Sequence, residues 1–195
     1  MTTNEAAVTP LESRSRLSAQ DWERAALEAI AEQGVNAVAV EPLARRLGVT
    51  KGSFYWHFPT REALLKAALE RWEHNDEKEF VFEPMGDPRE RLRELFRRAS
   101  RETRANAVYS ALLRALDNMA VQPVMLRVSQ RRIDFLTVAY LQLGLDRVDA
   151  AYRARLVYTA YAGFLQLSLQ LGLFQPSHVE LDDYVEHVIA TLIPA

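Results

Sequence analysis

No cysteine occurs in the chain, which excludes a disulfide scaffold, thiolate-ligated zinc and thiol catalysis and is compatible with a reducing cytoplasm. Nor is one sign of charge in excess: 24 Lys and Arg stand against 26 Asp and Glu, a net charge of -2. A chain so balanced does not adhere to nucleic acid through bulk charge, so any DNA contact has to come from a local patch. The four histidines, His57, His74, His178 and His187, lack metal-ligand spacing, and neither a Gly-rich phosphate loop nor a nucleophile elbow is present. No metal, cofactor or catalytic residue is therefore expected, and a small all-α enzyme is the remote alternative. Residues 1–17 lack the apolar run of a secretory signal and read as a flexible tail.

Membrane-spanning runs are scarce as well. Leu156 to Ser177 carries no charge and is long enough to cross a bilayer. Thr159, Gln166, Ser168, Gln170 and Gln175 would place polar groups in hydrocarbon, and Gly172 and Pro176 end the helix early. A helix covered on nearly all sides by protein fits better, so no membrane partner is expected and the location is cytoplasmic.

What is present, at 49% hydrophobic content, is a series of helical patterns with no Val/Ile/Thr alternation of the kind a strand needs. Ser18 with Asp21 forms a capping-box pattern ahead of a helix over Ala19–Gln33, which Gly34 ends. Pro42 opens a very short helix through Leu47, and Thr50 caps another over Lys51–His57 that Phe58-Pro59 closes. Thr60 caps a fourth to Glu79. Beyond the loop from Phe80 to Asp87, breakers delimit segments from Pro88 to Arg104, Asn106 to Met119, Pro123 to Gly144, Asp146 or Asp149 to Gly172, and Leu181 to Leu192. The fold class is all-α with about nine helices: a three-helix N-terminal domain over 18–64 and a helical domain over 65–195.

Ala44 and Gly48 supply the small contact residue and the left-handed turn that two crossed short helices need, with Val49 and Phe54 filling the corner. This is the pattern of a helix-turn-helix. Its second helix offers Lys51, Gly52, Ser53, Tyr55, Trp56 and His57, donors, aromatics and small groups suited to the major groove. Large side chains cannot all point inward from so short a helix, so Phe54 and Phe58 are assigned to the core and Tyr55, Trp56 and His57 to the surface. From Pro42 to Lys66, Arg45, Arg46, Lys51, Arg61 and Lys66 oppose Glu62 alone. That is the local basic patch the composition requires, and Arg61, in the first turn of the fourth helix, is expected to clamp a DNA phosphate.

The run GVTKGSFYWHFPTREALL resembles the signature of the tetracycline-repressor (TetR/AcrR) family of bacterial regulators, over about Ala19 to Leu69. The resemblance implies that Lys51, Gly52 and Ser53 stand at base-contacting positions, with Tyr55, Trp56, His57 and Arg61 at base or phosphate positions. Two residues depart from the family pattern: Ala39 stands where a capping Thr is usual, and Glu41 where a basic or polar residue often reaches DNA. The resemblance further implies a homodimer on a palindromic double-stranded DNA operator, acting as a repressor that an unidentified, largely apolar small-molecule effector releases. A non-specific architectural DNA binder is the alternative.

The C-terminal candidates follow from that frame. An effector pocket is expected among Trp72, Tyr109, Arg114, Met119, Phe135, Tyr140, Tyr158 and Phe164, for each of which ordinary core packing is the competing explanation. Arg114 lies in an apolar run and needs Asp117, Asp134 or an anionic ligand as partner. The apolar faces of the last two long helices place Tyr161, Leu165, Leu169, Tyr184, Val188 and Leu192 at a dimer interface. Seven arginines between Pro88 and Arg104 read as a solvated face tied by i,i+4 pairs, with a second nucleic-acid surface as the alternative.

Overall fold

The computed structural model describes residues 17–79, 86–101, 103–173 and 177–194; the expected tail and most of the loop after Glu79 lie outside them. Among these residues all regular structure is helical: α1 (Ala19–Gln33), a 3-10 turn (Val35–Ala37), α2 (Val40–Arg46), α3 (Lys51–Tyr55), α4 (Arg61–Glu79), α5 (Pro88–Arg101), α6 (Thr103–Leu113), α7 (Val121–Gln142), α8 (Arg147–Leu171) and α9 (His178–Leu192). No helix among them is long and apolar enough to cross a membrane.

Local chemistry sets the boundaries. The Asp21 carboxylate accepts from the Ser18 N–H at 2.8 Å and from its hydroxyl at 2.7 Å, and these bonds hold its pKa below the usual carboxylate range. Asp146, rather than Asp149, caps α8 by accepting from the N–H groups of Val148 and Asp149. α9 begins three residues before the expected Leu181, because Ser177 and Glu180 form a second capping box. α6 ends at Leu113 instead of Met119. The next residues follow tight turns, in which the Asn118 side-chain oxygen accepts from the Ala120 N–H at 2.9 Å, an Asx-turn that competes with helix. Thr50 stands at the N-cap of α3 without a side-chain capping bond, whereas Thr60 accepts from the Ala63 N–H at 3.1 Å and starts α4.

Two apolar clusters result. The larger runs from Trp22 and Ile30 of α1 through Leu43, Phe54, Leu64 and Leu65 to Tyr109, Leu112 and Met125, so packing is continuous across residue 64. The smaller joins Leu92, Leu136, Tyr140, Ala154, Val157 and Ile189. α7 lies along α8, while α9 packs on α5. Arg97 donates to Glu186 at 2.8 Å and Arg101 pairs with Asp182 at 3.4 Å. Part of the arginine-rich face of α5 thus holds α9 through interhelical pairs.

Candidate nucleic-acid interface and the cavity behind it

The turn between α2 and α3 is made by Gly48, whose φ of 67 suits glycine, and the Val49 N–H closes it on the Ala44 carbonyl at 3.0 Å. Phe54 is fully buried, edge-on to Trp22 at 5.3 Å and 5.9 Å from Phe58. Anchoring Phe54 and Phe58 inside turns the intervening rings out: Tyr55 is 55% and Trp56 83% exposed. Lys51 and Gly52 are exposed, and Ser53 and His57 half-exposed. A Cβ at Gly52 would meet nothing nearer than the Thr50 hydroxyl at 3.7 Å. The fold does not demand glycine there; its absent side chain matters toward the open side, where it permits close approach.

Electrostatics add a feature that sequence reasoning left aside. Lys51 Nζ lies 3.0 Å from Glu41 Oε1, and their mutual hydrogen bond lowers the pKa of Glu41 and raises that of Lys51. The acid that departs from the family pattern is therefore the partner of the leading basic candidate. Arg61 has partners within the chain. Its Nε donates to the Val38 carbonyl at 2.5 Å and its Nη2 to the Val35 carbonyl at 3.2 Å. Two of its nitrogens thus brace the α1–α2 connection, where the Val35 carbonyl also accepts from the Val38 N–H at 3.2 Å, and the side chain keeps about a third of its exposure.

The sequence pattern of "Bacterial regulatory proteins, tetR family" matches residues 24–68, spanning α1 to α4. The N-terminal domain belongs to the tetR family. Over 57 residues the chain is 41% identical to the HTH-type transcriptional regulator SrpR of Pseudomonas putida, covering 29% of this chain and 27% of that one. Over 47 residues it is 47% identical to the class A tetracycline repressor protein from transposon 1721 of Escherichia coli, covering 24% and 22%. The chain thus matches about a quarter of the length of these relatives. A solved TetR transcriptional regulator from Legionella pneumophila superposes with a TM-score of 0.75 at 15% identity, over 93% of this chain and 100% of that one. This establishes a shared fold beyond the tetR-family domain.

Behind that domain lies a cavity of about 640 Å³, within the roughly 300–1,000 Å³ of small-molecule sites. α1 and α4 to α9 all contribute to its walls. Of the expected pocket residues, Trp72, Tyr158 and Phe164 line it. Five do not. Tyr109 is fully buried beside it, where its hydroxyl lies 2.6 Å from that of Tyr158, which donates in turn to Ser129 at 2.6 Å. Tyr140 is buried in the second core and donates to the Leu192 carbonyl at 3.0 Å. Phe135 is half-buried outside the walls. Arg114 is exposed beside Gly34, and Met119 is 90% exposed, because α6 stops before either.

All six residues expected at a dimer interface, Tyr161, Leu165, Leu169, Tyr184, Val188 and Leu192, border this cavity in the single chain; Leu165 is buried within the chain, whereas Leu169 and Tyr184 remain 47% and 46% exposed. The charges of α8, Arg147, Asp149, Arg153 and Arg155, all precede Leu156, and α7 packs along the helix. The face that α8 leaves open carries Tyr152, Leu156, Thr159, Gly163 and Leu167, a spacing of four, three, four and four residues that lines one side of a helix.

Sequence reasoning also missed the Asp76–Arg132 pair in the cavity wall. Arg132 Nε lies 2.9 Å from Asp76 Oδ1, its Nη2 binds the same oxygen, and its Cζ sits 4.5 Å from the Tyr109 ring centroid. Both residues are nine-tenths or more buried. Asp76 alone breaks no apolar pattern in α4, and nothing in the local sequence links it to a residue 56 positions away.

Proposed function

We propose that the chain is a dimeric, sequence-specific transcriptional repressor that binds a palindromic operator through α3 and releases it when a small molecule occupies the cavity. The observation that carries this reading is the pair of outward rings, Tyr55 and Trp56, beside Lys51 and Gly52 on a helix whose core is fixed by Phe54. Such rings and donors offer base and backbone contacts in the major groove. The similarity to a regulator and a tetracycline repressor over α1 to α4 supports it. The DNA-reading set is Lys51, Gly52, Ser53, Tyr55, Trp56 and His57, with the N–H groups that open α4 and the Arg61 side chain as a phosphate seat.

Dimerisation is proposed through the open face of α8, where Tyr152, Leu156 and Leu167 are 63%, 58% and 38% exposed. A two-fold pairing presents two α3 helices at a spacing of about 34 Å, one turn of DNA. The protein then works in the cytoplasm, without metal or cofactor and without catalysis. Selection of bound sequences from a random duplex library tests the reading. It should enrich one palindrome with half-sites about 10 base pairs apart; enrichment of no motif would instead support non-specific architectural binding.

A further inference from the structure

The charged groups of the cavity wall come from α1 and α4 to α7 and are nearly all arginines, while α8 and α9 contribute no charge, and this distribution specifies a class of ligand. The side made by α1, α4 and the start of α6 contributes Arg24, Arg71 and Arg104 to the walls. Their acidic partners lie outside the walls: Asp21 is 2.5 Å from Arg24, Glu23 3.4 Å from Arg71 and Glu28 2.5 Å from Arg104. Each guanidinium is thus backed by an acid and borders the cavity. The only acid in the walls among the described residues is Asp76, already bound by Arg132 and 3.6 Å from Arg131. Toward α8 and α9 the lining is mainly aliphatic and aromatic, Val157, Leu165, Leu169, Val185, Val188 and Leu192 among it, with the Ser168 hydroxyl buried without a hydrogen-bond partner, while α5 adds Arg98 and Ser100 beside Leu95 and Phe96.

A cationic ligand would meet the wall arginines, and the one described acid there, Asp76, has Oδ1 bound by Arg132 and Oδ2 buried 3.6 Å from Arg131 without a hydrogen-bond partner. An anion meets planar donors that bind carboxylates with two parallel hydrogen bonds, at a rim where Arg71 and Arg104 keep 32% and 67% of their side-chain exposure, so little desolvation opposes it. We infer that the cavity takes an amphipathic anion, a carboxylate on an aliphatic chain, with its head at Arg71 and Arg104 and its chain along α8 and α9. This rests on the reading of the cavity as the effector site. It also supplies a route to the DNA-binding helices: Glu28, which holds Arg104, lies 3.9 Å from Arg46 of α2. A head group that draws Arg104 inward leaves Glu28 to Arg46.

Calorimetric titration of the full chain, without DNA, with decanoate, 1-decanol and decylammonium at neutral pH tests the inference. Decanoate should bind roughly tenfold or more tighter than decanol, and decylammonium weakest. Octanoate should bind about tenfold weaker than decanoate, as expected for two fewer buried methylenes. Arg71→Gln with Arg104→Gln should bring decanoate to the affinity of decanol and leave decanol unchanged, which also shows that the doubly substituted cavity is intact. Decylammonium or decanol matching decanoate, an unaltered decanoate affinity in the double variant, or no saturable binding of any probe would overturn it. Operator binding without decanoate binding would remove the ligand class and keep the regulator. Decanoate binding without preference for any duplex would do the reverse.

Discussion

Phe54 lies between Trp22 and Phe58, and its burial is what directs Tyr55 and Trp56 to solvent. This much was legible in the sequence, because a five-residue helix cannot hide four large side chains. The role of Lys51 was legible only as a charge. Its pairing with Glu41 across the turn was not, since residues ten apart meet through the geometry of Gly48. Lys51→Ala should weaken operator binding and reduce the salt slope of log K by about one, with an unchanged melting temperature because its pair with Glu41 is exposed. Salt-titrated fluorescence anisotropy reads both effects.

Tyr140 gives a second prediction at this scale. Burial pushes its hydroxyl from the ordinary 10.0 up to about 12, with Arg153 pulling the other way. The folded state therefore keeps the proton where the unfolded chain loses it. Stability is complete below about pH 10 and falls between about 10 and 12, by at most about 3 kcal/mol. Tyr140→Phe should remove that share of the alkaline decline in urea titrations, while costing about 1 kcal/mol at neutral pH through its lost bond to Leu192.

At the scale of elements, most helices could be read from breakers and periodicity, and the misses have specific causes. α9 began early because Ser177 and Glu180 are a capping box in a stretch chosen by its apolar face; α6 ended early where i→i+3 turns replace it, the Ala115 N–H donating to the Leu112 carbonyl and the Asn118 N–H to the Ala115 carbonyl. Arg61 has a structural task that the motif does not reveal: its guanidinium bonds the Val35 and Val38 carbonyls. Arg61→Ala should accordingly lower stability by about 1–3 kcal/mol, two carbonyls having lost a charged donor. Thermal melts should detect the loss without DNA. Asp76 and Arg132 tie α4 to α7. Asp76→Asn leaves a buried guanidinium uncompensated and should cost about 3–5 kcal/mol, whereas Asp76→Leu with Arg132→Met should cost much less than the sum of the single changes.

For the whole molecule, the class and the helix order were legible, while the rotation of α8 was not. From Leu156 onward α8 has no charged side chain to mark an outer face, so Tyr161, Leu165 and Leu169 could not be divided between the cavity and a partner from the sequence. The open face is now defined by Tyr152, Leu156, Gly163 and Leu167. A side chain added at Gly163 meets nothing within 4 Å in the single chain. Gly163→Arg should leave the helical fold intact and, if α8 is the interface, dissociate the dimer and lower operator affinity. Sedimentation equilibrium together with circular dichroism separates the two effects; a stable dimer in this variant would move the interface elsewhere.

The slightly acidic chain concentrates basic residues between Pro42 and Lys66, and the proposed reading makes recognition local and doubled by a partner. The most direct measurement is the ratio of affinities for the selected palindrome and a scrambled duplex at fixed salt, for the unaltered protein and for Tyr55→Ala. The predicted ratio is about a thousandfold or more for the unaltered protein, falling sharply in the variant while its melting curve is unchanged. A ratio near one, or one that Tyr55→Ala leaves as it was, would contradict the assignment of α3 as the helix that reads DNA.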